Sequence, residues 1–300
     1  MDRRALKTFP GLRAPDFQHP QDISATRTLR GVPGFDRLST WVMEYGFERA
    51  YYIENTAENV RISERQFPRV HACLEWACEV LDVPLPELYM VDDPEAHAFT
   101  YGQSQPFVTL SSGLLEIMDE DELSFLIGIE VGHIKCEHVL YTMVARNISA
   151  ILSPVGPITF GLSALLGTGL EIALFDWSRK AQLSADRAGL LTVQDRDVAL
   201  RAFMKLAGGG RGMGKDMNPH AFVDQIRAYE DADRSGLNRS YKMLLTAFRT
   251  HPFPILRAKH LDAWVEGGGY GRLTGLSARP AFSDPEGAGD EARVSEGRSL

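Results

Sequence analysis

Cysteine is scarce in this sequence, with three residues among 300. So small and odd a number excludes a disulfide framework. Cys73 and Cys78 are five residues apart, which differs from the CxxC pattern of redox and structural zinc sites, and Cys136 stands alone. We therefore expect a protein of a reducing compartment.

Positive charge is also in short supply. Lysine and arginine total 32 against 40 aspartates and glutamates, which gives a net charge of −8. Nucleic acids attract proteins through a basic face, so the charge balance argues against nucleic acid as a partner. The N-terminal segment lacks the apolar core of a secretory signal peptide, and we expect a cytoplasmic protein.

Several catalytic motifs are missing. No GxSxG nucleophile elbow occurs, and no GxGxxG follows a predicted strand. The glycine-rich segment 208–214 (GGGRGMG) has neither a preceding strand nor the GxxxxGK[ST] order of a phosphate loop. These absences exclude serine-hydrolase, dinucleotide-binding and P-loop chemistry.

Charged residues are absent from residues 148–170 (ISAILSPVGPITFGLSALLGTGL). The stretch is long enough to span a bilayer. However, Pro154, Pro157 and four glycines interrupt any continuous helix. We therefore expect a buried hairpin or an apolar flap over a groove, with contact to a membrane as the alternative.

Composition and hydrophobic periodicity divide the rest of the chain. Residues 1–35, rich in Pro, Gly and Arg, are predicted to form an irregular arm, and residues 278–300 a disordered acidic tail. Segments 86–93 and 106–112 are predicted as two short strands. Helices are predicted over or near residues 36–60, 64–81, 122–144, 170–192, 195–208, 220–232 and 237–250.

The segment that carries a chemical pattern is 128–138 (GIEVGHIKCEH). On a zinc-peptidase helix, two histidines at i and i+4 bind the metal, and a glutamate after the first takes a proton from the bound water. Glu130 and His133 fit the glutamate and the second histidine. The first histidine position is Ile129, which has no lone pair for a metal. His138 is predicted to be a helix-surface or C-terminal-turn histidine.

The sequence around this helix resembles that of the M48 metallopeptidases, the group of HtpX-like and Ste24-like enzymes. Segment 106–141 resembles the family's "SGLL…DEDEL…HELGHI…GH", and 177–191 (WSRKAQLSADRAGLL) resembles "SRxxExxADRxG". Segments 250–261 and 86–102 resemble "HPxxxxRI" and the strand ending in "NAFxxG".

The resemblance covers about residues 84–262. It implies an α+β fold that is mostly helical and zincin-like, in which a small sheet lies against two motif helices. We assign the peptidase-like domain to residues 36–277, with 148–170 as its apolar flap.

The resemblance also implies which residues stand at the zinc site. The family binds zinc through two helix histidines and a glutamate four residues before the Asp of "AD". Here Asp186 is that Asp, so the ligand glutamate is replaced by Gln182 and one ligand histidine by Ile129. His133 is the residual ligand. Asp186 would orient a ligand histidine without binding the metal itself. We expect Ile129 and His133 on one helix face, opposite Gln182 on a second helix.

Losing two of three ligands predicts a pseudoenzyme that needs no cofactor. Its groove would still bind a peptide or protein partner, which the family adds as a strand near residues 108–112. The alternative is a working zinc metalloendopeptidase with a substitute ligand: His97 (where the family has Asn), then His251, then Cys136. In that enzyme Glu130 would activate the water and His251 would help to stabilise the oxyanion. A third hypothesis is a structural protein whose flap packs on another protein or a membrane.

Overall fold

The computed structural model describes residues 5–44, 47–152, 162–209, 212, 217–231, 236–247 and 249–276. The predicted tail at 278–300 lies outside the described residues. The mostly helical α+β fold predicted from the sequence is confirmed. The boundaries of the predicted domain remain a prediction.

The strands are β1 (Val60–Ile62), β2 (Glu87–Val91), β3 (Ala98–Tyr101) and β4 (Phe107–Ser111). The helices are α1 (Ala14–Phe17), α2 (Pro20–Arg30), α3 (Phe35–Glu44), α4 (Phe47–Glu58), α5 (Pro68–Leu81), α6 (Ser112–Ile117), α7 (Glu120–Lys135), α8 (Val139–Leu152), α9 (Leu162–Val193), α10 (Arg196–Gly208), α11 (Pro219–Asp231), α12 (Gly236–Ala247), α13 (Pro254–Glu266) and α14 (Gly269–Thr274).

The four strands form one mixed sheet in the order β1-β2-β4-β3. β2 and β4 are the two predicted strands and run parallel, while β1 and β3 pair antiparallel with them. Because β4 is paired on both sides, a partner strand cannot pair with β4 itself, and the addition of a strand near residues 108–112 remains a prediction for the neighbouring strand β3. Among the described strands the edges are β1 and β3.

β3 was not predicted, because it is short and lies in a turn-rich segment. Gly102 ends it with a φ of 85°. A Cβ at Gly102 would lie 2.2 Å from the carbonyl oxygen of Gln105, so the turn into β4 requires glycine.

The motif helices α7 and α9 pack closely because small residues face each other. A Cβ at Gly132 would lie 2.5 Å from the Cβ of Ala188, and one at Gly128 only 2.4 Å from Oγ1 of Thr192. α7 starts at a capping box in which Asp119 accepts the backbone N–H of Glu122 and its own N–H bonds the Glu122 carboxylate. The close approach at Gly128 and Gly132 places the side chains of α7 directly against α9.

The helix predicted over 122–144 is broken into α7 and α8. Glu137 has a φ of 58°, a left-handed conformation that favours glycine. The turn is closed by bonds from the backbone N–H of Cys136 to Gly132 and of His138 to His133. No glycine or proline marks the break, so the apolar periodicity of the sequence runs through it and predicts a single helix.

The N-terminal segment was predicted to be an irregular arm, and this prediction is wrong because the segment carries α1 and α2. His19 caps α2 by accepting the N–H of Gln21, and Pro20 occupies the first helical position. Leu29 is buried where α2 packs on α9. High proline and arginine content concealed a short amphipathic helix.

The apolar segment is helical at both ends, because α8 runs to Leu152 and α9 begins at Leu162. The two helices pack on each other. Residues 153–161 lie outside the described part of the chain. No helix within the described ranges is long and apolar enough to cross a membrane.

Candidate functional site

His133 on α7 and Gln182 on α9 meet at the centre of the site. Nε2 of His133 lies 3.3 Å from Oε1 of Gln182, so Gln182 lies opposite His133 as the family resemblance implies. Ile129, one turn before His133, is 2% exposed and packs against Gly189 of α9. The three positions implied as zinc ligands therefore do come together, but one of them is an apolar side chain.

On one side, a chain of polar contacts leads from His133 to the N-terminal helix. Nδ1 of His133 lies 3.1 Å from Nδ1 of His138, and Nε2 of His138 lies 3.0 Å from the Asp22 carboxylate. His138 and Asp22 are both buried. His138 does lie in the turn after α7, but it is not a surface residue: the left-handed Glu137 turns its ring inward to His133.

On the other side, the chain of contacts leads to Arg257. The amide N–H of Gln182 donates to Asp186 at 3.0 Å. Arg257 donates to the same carboxylate through Nε at 3.1 Å and Nη2 at 2.6 Å, a buried paired geometry. Asp186 thus contacts the Gln182 amide rather than a histidine.

The two carboxylates fix the direction of these hydrogen bonds, because a carboxylate oxygen only accepts. Asp186 takes the N–H of Gln182, which turns the amide oxygen toward His133. That oxygen accepts the Nε2–H of His133, so Nδ1 of His133 accepts from His138. His138 lies between His133 and Asp22, with one ring nitrogen facing each of them. The pKa of His133 lies well below its usual value, mainly because burial disfavours the imidazolium.

Glu130 lies one turn from this chain and is buried. Thr100 of β3 donates its hydroxyl to the Glu130 carboxylate at 2.7 Å. Burial raises the pKa of Glu130, and the Thr100 hydrogen bond with the charges of Arg146 and Arg257 offsets only part of that rise. A buried carboxyl with a raised pKa is suited to exchanging a proton with a bound group.

A cavity of about 650 Å³, here called the groove, opens beside these residues. Its lining includes His97, Ile129, Glu130, Arg146, Gln182 and His251. His133 faces instead a small internal space of about 20 Å³, next to the groove. The groove therefore unites most of the candidate site residues.

The proposed substitute ligands differ in position. His97 stacks on Phe99 at 5.8 Å, and its Nδ1 lies 3.0 Å from the carbonyl oxygen of Glu95. His251 is exposed, with Nδ1 2.9 Å from the Thr250 hydroxyl. Cys136 is buried at the end of α7 and faces a separate pocket beside α2. His97 and His251 line the groove, but Cys136 does not.

Sequence reasoning assigned no role to Asp22, Thr100, Arg146 or Arg257. Arg257 could have been found, because it occupies the Arg of the "HPxxxxRI" segment. Asp22 carries no local signal, since it lies 116 residues from its partner His138. Only the packing of α2 on α9 brings it to the site.

The residues at the implied zinc positions do not fit a zinc ion. Catalytic zinc takes three protein ligands, and here Ile129 offers none and Gln182 offers a neutral amide. Both nitrogens of His133 are engaged by His138 and Gln182. Within the described residues, no three or more His, Cys, Asp or Glu side chains are grouped so that they could hold a metal.

Comparison with known proteins agrees with the motifs. Residues 64–265 match the model of peptidase family M48. The chain is 34% identical over 258 residues to the plastoglobule-localized metallopeptidase 48, chloroplastic, of Arabidopsis thaliana, covering 85% of this chain and 74% of that protein. It is 23% identical over 232 residues to the Protease HtpX homolog of Thermodesulfovibrio yellowstonii, covering 67% and 77%. No solved structure matches. This chain belongs to the M48 peptidase family.

Proposed function

We propose that this M48 protein is a pseudopeptidase that binds an extended peptide or protein segment in the groove without zinc-dependent cleavage. The contact between His133 and Gln182 is the main support. The two side chains satisfy each other, and Ile129 fills the position of the remaining ligand with a buried apolar group. Such a site is complete without a cation.

The peptide would add as a strand to β3. The Ser111 N–H bonds the His97 carbonyl, so His97, Phe99 and Tyr101 point their backbone groups toward β4. Ala98 and Thr100 then direct theirs away from the sheet. Ala98 lines the groove, where its N–H and C=O are placed to bond a partner strand.

A zinc metalloendopeptidase with a substitute ligand set is the second candidate. His97 and His251 line the same groove as Glu130, and this common location favours it. That enzyme would require one of these imidazoles to move to the side of His133.

The third candidate is a structural or membrane-associated interaction protein of the cytoplasm, which would contact its partner or the membrane through residues 148–170. The absence of charge in this segment supports it. Sedimentation of the protein with neutral phosphatidylcholine vesicles, compared with a variant carrying Leu165→Lys and Leu166→Lys, tests this role.

The first two candidates are separated by one experiment on protein purified without a histidine tag. Its zinc content and its cleavage of a quenched fluorescent peptide library are measured beside those of Glu130→Gln. We expect no stoichiometric zinc and no cleavage that depends on Glu130. One zinc per chain with Glu130-dependent cleavage would overturn the proposal.

A further inference from the structure

We infer that the groove selects a segment carrying a carboxylate, which Arg146 and Arg249 bind. This inference rests on the proposed peptide-binding function and names the chemistry of its ligand. It follows from two guanidinium groups that line the groove and that, among the described residues, form no ion pair within 4.0 Å.

Arg146 projects from α8 and is exposed at the groove. Its guanidinium lies over the rings of Phe99 and Tyr101, 5.0 and 5.4 Å from their centres. Within the described residues no carboxylate oxygen lies within 4.0 Å of it. Stacking holds the planar group in place while its N–H edges remain available for a carboxylate.

Arg249 reaches the same groove from the segment before α13. It is exposed, and its guanidinium lies 4.6 Å from the centre of the Phe253 ring. It too has no carboxylate partner in the described part of the chain. Arg179 donates to the carbonyl oxygens of Thr246 and Arg249, which fixes the backbone that carries Arg249.

The other charged side chains that line the groove are Asp93, Glu95, Glu130 and Arg257, and among the described residues none of these carboxylates lies within 4.0 Å of the Arg146 or Arg249 guanidinium. Arg257 is paired with Asp186, and Glu130 is buried against Thr100. The Asp93 carboxylate accepts the N–H of Glu95 in the turn before β3, more than 4.0 Å from either unpaired guanidinium.

In a protein with a net charge of −8, two such cations on one cavity mark a place for an anion. A peptide offers that anion as an Asp or Glu side chain or as its C-terminal carboxylate. Both present the planar oxygens that arginine binds through two hydrogen bonds.

Fluorescence anisotropy with four matched peptides tests the inference. Three share the sequence Gly-Val-Thr-Val-X-Val-Thr-Gly-amide with X as Glu, Gln or Lys, and the fourth is the Gln peptide with a free C-terminal carboxylate; all carry the same uncharged dye. We expect one carboxylate peptide to bind about tenfold more tightly than the neutral Gln amide, and the Lys peptide most weakly. The identity of the tighter peptide tells which source of carboxylate is used.

Variants assign the preference to the two arginines. Arg146→Gln and Arg249→Gln should each reduce it severalfold, whereas Arg69→Gln, whose side chain is 87% exposed on α5, should not. If Arg146→Gln does not fold, Arg146→Lys and the loss of preference of the wild type in added salt serve instead. Equal affinity for all four peptides would overturn the inference and leave peptide binding intact. Failure of every peptide to bind would overturn the proposed function and, with it, the inference.

Discussion

The Asp22 carboxylate lies 3.0 Å from Nε2 of His138, although 116 residues separate them in the chain. Asp22 is fully buried and also accepts the Ser184 hydroxyl at 2.6 Å. The N-terminal helix α2 thus supplies an anion to the polar chain that runs through His133 and Gln182. Contacts from α2, through Asp22, and from α13, through Arg257, hold the candidate site on its two sides.

Replacing Asp22 should therefore cost more than a surface substitution. Asp22→Asn keeps the shape but removes the charge that faces His138, and breaking a buried pair in this way costs about 3–5 kcal/mol. We expect the free energy of unfolding in urea to fall by several kcal/mol. The exposed Asp16→Asn is the control: it loses a surface pair with the Arg13 side chain and weakens the hydrogen bond accepted from the Arg13 N–H, and it should change the free energy of unfolding far less. Equal effects would show that the contact of Asp22 with His138 does not contribute to stability.

The same carboxylate predicts a pH dependence. Burial alone would raise the pKa of Asp22, but hydrogen bonds from His138, Ser184 and Thr26 outweigh burial and the pKa is lowered. A lowered pKa in the folded state means that the contribution to stability is present above the unfolded value of about 3.9 and is lost as pH falls through the folded value. The difference in unfolding free energy between wild type and Asp22→Asn should be constant near neutrality and shrink below about pH 4. A difference that grows in acid would contradict this assignment.

Local signals in the sequence located some parts of the site and missed others. The family resemblance placed Gln182 by a count of four residues back from Asp186 within one helix, and that count gave the observed contact of Gln182 with His133. Asp22 depends on packing between distant helices, which no local pattern encodes. The turn at Glu137 was hidden because a residue other than glycine adopts the left-handed conformation there.

Glu137 therefore offers a test of backbone strain. A left-handed conformation costs a residue with a Cβ about 1–2 kcal/mol. Glycine avoids this cost, but it loses more backbone entropy on folding, which cancels part of the benefit. Glu137→Gly should raise the free energy of unfolding by up to about 1 kcal/mol, because the relief of the left-handed strain exceeds the entropy cost of ordering glycine. Glu137→Ala removes the same exposed side chain but keeps the Cβ, so it should not stabilise the protein. Equal stabilisation by both variants would attribute the effect to the side chain instead.

Chelation should leave the native protein unchanged. The proposed pseudoenzyme has no metal to lose, so its melting temperature should be the same in EDTA or phenanthroline as in buffer. If the folded protein bound zinc and the free zinc concentration were 100 times the Kd, the metal would add about 2.7 kcal/mol to the free energy of unfolding, and chelation would remove it. A drop of several degrees, reversed by added zinc, would contradict the pseudoenzyme and favour the substitute-ligand enzyme.

Restoring the two missing ligands should restore the metal site. Ile129→His places a second imidazole one turn before His133, and Gln182→Glu returns the carboxylate on α9. When Nε2 of His133 binds a metal, its Nδ1–H can donate to Nδ1 of His138, and a donated bond of this kind orients a ligand histidine.

We expect about one zinc per chain in the double variant and far less in either single variant, measured by plasma mass spectrometry on tag-free protein. Gln182→Glu alone should also be destabilised, because its carboxylate would face Asp186 where the amide N–H now donates at 3.0 Å. Added zinc should recover that stability only when Ile129→His is present. Ile129→Asn combined with Gln182→Glu is the matched control, since it adds a polar side chain without an imidazole. A folded double variant that takes no more zinc than this control would mean that the helices no longer hold these positions at metal-binding distance.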